Sequence, residues 1–121
     1  MSTRRAVRPL REPRREPSRV LYEAIAQHFR VLGEPVRLDL LHVLSEGPQS
    51  ASALLARTGI SQAGLSKHMS ALCAAGFVRR WRDGAYVHYA LADDRVLALC
   101  ELMCDRLESA AASTFEIVAA R

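Results

Sequence analysis

Nowhere in its 121 residues does the chain hold a run of about 18 apolar residues, so no segment can span a bilayer as a helix. No apolar stretch follows Arg4 and Arg5 either. The next residues read "AVRPLREPRREPSR", where an export signal would need an apolar core. The expectation is a cytoplasmic protein with no membrane partner. Cysteine is scarce: Cys73, Cys100 and Cys104 do not make a disulfide framework in that compartment. A phosphate-cradling glycine loop, a metal-hydrolase helix motif and a nucleophile elbow are all missing. A thiol redox couple at Cys100 and Cys104 is the remaining catalytic option. Glu101 and Asp105 sit beside those thiols and should raise their pKa, with no cationic neighbour to lower it. The chain is therefore not expected to be an enzyme.

Acid is absent where base is concentrated. Residues 57–82 hold Arg57, Lys67, Arg79, Arg80 and Arg82 and no Asp or Glu, whereas the whole chain has a net charge of only +4. Residues 1–19 add seven arginines against Glu12 and Glu16, and residues 83–121 are net acidic. A basic zone on an otherwise balanced chain is the electrostatic footprint of a polyanion binder. A merely solvated face would mix both signs.

Half of the residues are apolar, enough for one compact domain. Residues 1–18 combine arginines with Pro9, Pro13 and Pro17 and read as a disordered basic arm, leaving residues 19–119 as the folded domain. Helical spacing starts at Val20 and runs through Leu21, Ala24, Ile25, His28, Phe29 and Leu32 to Gly33. Pro35 suits the first turn of a second helix, with Val36, Leu38, Leu40, Leu41, Val43 and Leu44 as its buried stripe. Ser50 caps a short third helix that ends at Thr58 and Gly59. Ser61 caps a fourth, buried through Leu65, Met69 and Leu72 and stopped by Gly76. "FVRRWR" and "AYVHYAL" flank Asp83 and Gly84, a hairpin signal with those two residues at the tip. A last long helix follows Asp93. The expected fold is mostly α with a small β-hairpin, order α-α-α-α-β-β-α, which is a winged helix-turn-helix.

A B-DNA major groove, about 12 Å wide, admits one α-helix with its side chains. Opposite the buried edge of the fourth helix lie Ser61, Gln62, Ser66, Lys67 and His68. Gln62 can pair with adenine, His68 and Lys67 can donate to guanine, and Ser66 and Lys67 can equally hold phosphates. Ala63 and Gly64 are small enough for close approach of the helix N-terminus. Arg79, Arg80 and Arg82 on the hairpin are expected at the backbone or minor groove, with Tyr86 stacking on sugar or covering the sheet. The expected partner is double-stranded DNA. A winged-helix module that binds protein is the rival reading.

The motifs "LGEPVRLDLL", "SQxxLSKHMxxL", "AGFVRR" and "RDGxxVHYAL" occur in that order, and over residues 20–110 the chain resembles the ArsR/SmtB family of bacterial winged-helix repressors. The resemblance implies a homodimer that blocks its own promoter and lets go when an inducer binds. Family inducers include metal ions, metalloids, reactive sulfur and oxidants; some members have no known ligand. Two family metal motifs lack counterparts: "SALLART" holds no cysteine, and no histidine lies between Arg95 and Arg121.

What remains is "LCELMC", where Cys100 and Cys104 share a helix face about 5–6 Å apart at Cβ. That is too far for an unstrained disulfide, which wants about 3.5–4.5 Å, but suits a bridging soft metal or metalloid, or a chain of extra sulfur atoms. Cys73 is either a third ligand or unrelated, and all three thiols can instead be core residues. The last helix also carries Leu97, Cys100, Cys104, Leu107, Ala111 and Phe115 in one stripe, with Met103 and Val96 beside it, which a partner's matching helix would cover.

Overall fold

Residues 16–110 are described by the structure, a computed structural model. Each helix begins where a side-chain oxygen meets a backbone N–H that has no helical partner. Ser18 accepts from the Leu21 amide at 3.1 Å and opens α1 (Arg19–Leu32); the Glu34 carboxylate accepts from Val36 at 2.9 Å and opens α2 (Pro35–Leu44). Ser50 caps α3 (Ala51–Thr58) through Ala53 at 3.1 Å, and Ser61 caps α4 (Gln62–Ala74) through Gly64 at 2.9 Å. Asp93 Oδ1 accepts from the Arg95 amide at 2.9 Å, just ahead of α5 (Arg95–Ala110). The last stretch of the expected final helix, with Ala111 and Phe115, lies outside the described residues, as do residues 1–15 of the arm.

Helix α4 stops in a Schellman arrangement. Gly76 takes φ +83°, a left-handed conformation that costs glycine little, and donates to Cys73 O at 3.0 Å while Phe77 donates to Leu72 O at 3.0 Å. The chain then enters the sheet directly. β2 (Val78–Asp83) pairs antiparallel with β3 (Tyr86–Leu91), and a two-residue strand β1 (Gln49–Ser50) pairs with the far edge of β3, giving the order β1-β3-β2. β1 was not expected. Two residues carry no alternation, and their partners His88 and Tyr89 are remote in sequence.

The hairpin tip also differs from expectation. Asp83 pairs with Tyr86, so Gly84 and Ala85 form the turn and Asp83 belongs to the ladder. Of the two turn residues only Gly84 takes positive φ, +64°. A turn with glycine at its first central position joins strands of natural twist. The sequence signal named the turn correctly but one residue early.

The core lies between the helices and one face of the sheet. Leu40 and Leu41 of α2, Leu54 of α3 and Met69 and Leu72 of α4 are fully buried, joined by Val78, Tyr89 and Val96. Leu38, expected in the α2 stripe, is instead 41 % exposed. α2 is short, and its buried sector takes in residues 40, 41, 43 and 44, leaving position 38 on the flank. In α1 only Leu32 is buried, and the remaining apolar stripe faces outward. His28 ties this helix to α4: its ring nitrogens lie 2.8 Å from Ala24 O and 3.1 Å from Ala75 O, and its ring meets Phe77 edge-on at 5.6 Å.

Emptying a fully buried leucine site removes transfer energy and leaves a cavity. Leu54→Ala is expected to cost about 2–5 kcal/mol in urea unfolding. Leu38→Ala is expected to cost less than about 1 kcal/mol. Equal costs would contradict this partition of the core.

Candidate nucleic-acid interface

The side chains of α4 are sorted by what its buried edge does. Leu65, Met69 and Leu72 turn inward, which leaves Gln62, Ala63, Ser66, Lys67 and Ser70 exposed on the opposite side. Ser61 sits at the mouth of this face with its hydroxyl committed to the Gly64 amide. A Cβ on residue 64 would meet that oxygen at 3.0 Å, so glycine protects the cap. Ser70 was missed by the sequence reading, although it follows Ser66 by one helical turn.

His68 departs from expectation. It is half-buried on the flank of α4 rather than on the exposed face, and its Nδ1 accepts from Arg37 Nε of α2 at 3.1 Å. Arg37 also donates through Nη1 to Val31 O at 3.2 Å. Arg37 carries no sequence signal linking it to α4; only the crossing of α2 and α4 makes them neighbours.

The three wing arginines do not share a face. Side chains alternate along β2, so Arg80 and Arg82 leave on the side of Val78, which faces the core, and Arg79 leaves with Trp81 on the other. The Arg79 guanidinium lies 4.6 Å from the Trp81 ring centroid, and Trp81 stacks on His88 across the ladder at 5.5 Å. Such a stack holds a cation over an aromatic face and stiffens the strand pair. Tyr86, 66 % exposed beside the turn, projects into solvent. Arg57, the first cation of the acid-free window, is engaged from outside it. Its guanidinium grips the Glu46 carboxylate at 2.6 and 3.2 Å, and that hydrogen bond lowers the carboxyl pKa. The available positive charge is thus Lys67 with the wing.

On α5, Leu97, Cys100 and Cys104 are half-buried and Leu97 packs against the core, whereas Leu107 is exposed. Leu99, Leu102 and Met103 are exposed beside it. The apolar surface left open on this helix is therefore rotated from the stripe that spacing alone suggested. Burial pushes the Cys100 thiol up in pKa, with Cys104 adding to the effect, and burial also raises Cys73, partly opposed by the Arg80 charge. The direction agrees with the sequence expectation for Cys100, but burial rather than neighbouring acid is the cause. Among the described residues, no three His, Cys, Asp or Glu side chains come together as metal ligands, so Cys73 does not join the other two thiols.

A family model described as a helix-turn-helix domain matches residues 32–80, from the end of α1 into the wing. A probable mercury resistance operon repressor of Streptomyces lividans is 36 % identical over 91 residues, spanning 74 % of this chain and 73 % of that one. The chain belongs to the ArsR/SmtB family of winged helix-turn-helix transcriptional regulators. Several solved structures carry the same architecture, among them the following two. The antimony-specific repressor AntR superposes with TM-score 0.70 at 28 % identity, covering 86 % of this chain and 95 % of that one. The homodimeric winged helix-turn-helix domain of Mb0332 from Mycobacterium bovis, a possible ArsR-family regulator, gives TM-score 0.66 at 26 % identity, covering 77 % and 91 %.

Within this ArsR/SmtB chain α4 is the recognition helix and β2–β3 the wing. No helix among the described residues is long and apolar enough to cross a membrane. The entry to α5 is set by charge. The Arg95 guanidinium bonds to the Asp93 carboxylate at 2.6 Å, and with the Arg95 amide it lowers that carboxyl to a pKa of about 2. An unfolded aspartate titrates near 3.9, so the contribution of Asp93 is complete above about pH 4 and disappears as pH falls through about 2. Carbon-13 titration of the Asp93 carboxyl is expected to show this low midpoint in the native protein. An Arg95→Ala variant is expected to return it toward the ordinary value.

Proposed function

We propose that two copies of this chain form a repressor that grips an inverted-repeat operator and is released when a thiol-seeking inducer engages Cys100 and Cys104. The observation that carries this reading is the contrast between two kinds of exposed surface on one small domain. The outward side of α4, with the cationic wing, carries Gln62, Ser66, Lys67, Ser70, Arg80 and Arg82, and acid enters only at Asp83. The first and last helices expose apolar side chains instead: Leu21, Tyr22, Ile25 and Phe29 on α1, and Leu99, Leu102, Met103 and Leu107 on α5. Apolar surface of this extent marks an interface, and a second copy covers it symmetrically. The homodimeric state of the Mycobacterium bovis relative supports that partner. Twofold symmetry then places recognition helices about 34 Å apart, one turn of duplex.

In this reading Lys67, Ser66 and the α4 N-terminus at Ser61 and Ala63 hold phosphates, and Gln62 reads a base. Arg80 and Arg82 follow the backbone beside the groove. Arg79 acts through its stack on Trp81, and Tyr86 meets sugar at the tip. The arm, residues 1–18, adds phosphate contacts or serves only solubility. Half-buried thiols one helical turn apart fit a soft ion, which would draw both into the thiolate state and pull on α5. The names of the Streptomyces repressor and of AntR, a mercury operon and antimony, support that ligand class. Strain on the dimer helix then changes the angle between subunits and takes the recognition helices off groove spacing.

Lys67→Ala is expected to weaken binding to operator and random duplex alike and to reduce the salt slope by about one, whereas Gln62→Ala relaxes sequence choice. Fluorescence anisotropy across a salt series reads both. Equal losses on every duplex from both variants would remove the base-reading role of Gln62.

For the sensor, the Cys100→Ser/Cys104→Ser double variant is expected to bind operator normally but fail to release it on addition of mercuric or antimonite ions. Unchanged release would return both thiols to a packing role.

A further inference from the structure

Among the described residues Arg37 and His68 form the one side-chain hydrogen bond between α2 and α4, and its direction has a chemical consequence. An arginine side chain has five N–H donors and no acceptor. The ring nitrogen that meets Arg37 Nε at 3.1 Å must therefore present a lone pair, which leaves the ring proton on Nε2. The second donation, from Nη1 to Val31 O at 3.2 Å, holds the guanidinium against the last turn of α1 and keeps it from swinging away. Both side chains are half-buried, and among the described residues the ring's other nitrogen, Nε2, has no hydrogen-bond partner within the protein.

We propose that Arg37 is a positioning residue for base recognition: by donating to Nδ1 of His68 it fixes the imidazole with its proton on Nε2, so that the recognition helix offers the duplex a donor at that point. This inference rests on the DNA-binding reading above. The distinction decides which base is accepted. A donor at Nε2 matches the major-groove acceptors, N7 and O6 of guanine, N7 of adenine or O4 of thymine, whereas a lone pair there would select the amino group of adenine or cytosine. Arg37 touches no base in this scheme, and its charge is spent within the protein.

The test starts without DNA. Long-range proton–nitrogen correlation on the full chain at neutral pH is expected to show His68 protonated at Nε2 only. In Arg37→Met, which keeps the aliphatic stem for packing, a mixture of tautomers is expected. With operator duplexes substituted one base pair at a time, Arg37→Met and His68→Ala should lose discrimination at the same position, by about tenfold to 100-fold, and the double variant by no more than either alone. The salt slope of Arg37→Met should match the wild type.

A wild-type ring protonated on Nδ1 would overturn the proposal, and so would an Arg37→Met variant with unchanged tautomer or with normal discrimination. A reduced salt slope would reassign Arg37 to phosphate and overturn it too. If Arg37→Met does not fold, Arg37→Lys takes its place and the wild-type tautomer is still decisive. Failure of the wild type to bind any duplex would defeat the parent reading, whereas duplex binding with normal discrimination in the variant defeats this inference alone.

Discussion

Three apolar side chains on one edge of α4 orient everything else on that helix. Leu65, Met69 and Leu72 are pressed into a core built from α2, α3 and the sheet, and none can turn outward without exposing itself to water. A helix has one rotational setting once such an edge is anchored. The polar side then points where it does because the apolar side has no alternative. Stability and recognition are two consequences of a single constraint, and the exposed face contributes little to holding the fold.

The same constraint explains the economy of the termini. Ser61 fixes where α4 starts and the Schellman turn at Gly76 fixes where it stops, so the helix cannot slide along its own axis relative to the wing. His28 reaches from α1 to the carbonyl of Ala75, and Arg37 reaches from α2 to His68. The recognition helix is therefore braced near its end by α1, whose outer apolar side belongs to the proposed subunit interface, and along its flank by α2, which Arg37 also ties to α1 through Val31 O. A change in how two copies sit together would be felt by α4 through these polar contacts as well as through packing.

Much of the architecture is visible in the order of residues because it depends on local chemistry. Serine caps, Pro35 at the start of α2, Gly76 after α4 and the apolar spacing of 65, 69 and 72 each act within a turn or two of chain. The strand β1 is different: it exists only because β3 offers an unpaired edge, and its two residues carry no pattern of their own. The hairpin tip differs for a subtler reason. Asp-Gly signals a turn, but the ladder pairing of Asp83 with Tyr86 selects which two residues form it.

The sequence by itself determined the element types, the recognition-helix edge and the basic zone, because periodicity, capping and formal charge are properties of neighbouring residues. It also determined that Cys100 and Cys104 lie one helical turn apart. Only the tertiary structure decided which cations remain available. Arg57 is paired with Glu46, Arg79 rests on Trp81, and Arg37 is turned inward onto His68. It decided, too, which side of α5 is left bare. Those outcomes depend on elements meeting across the fold, and no spacing along the chain encodes that meeting.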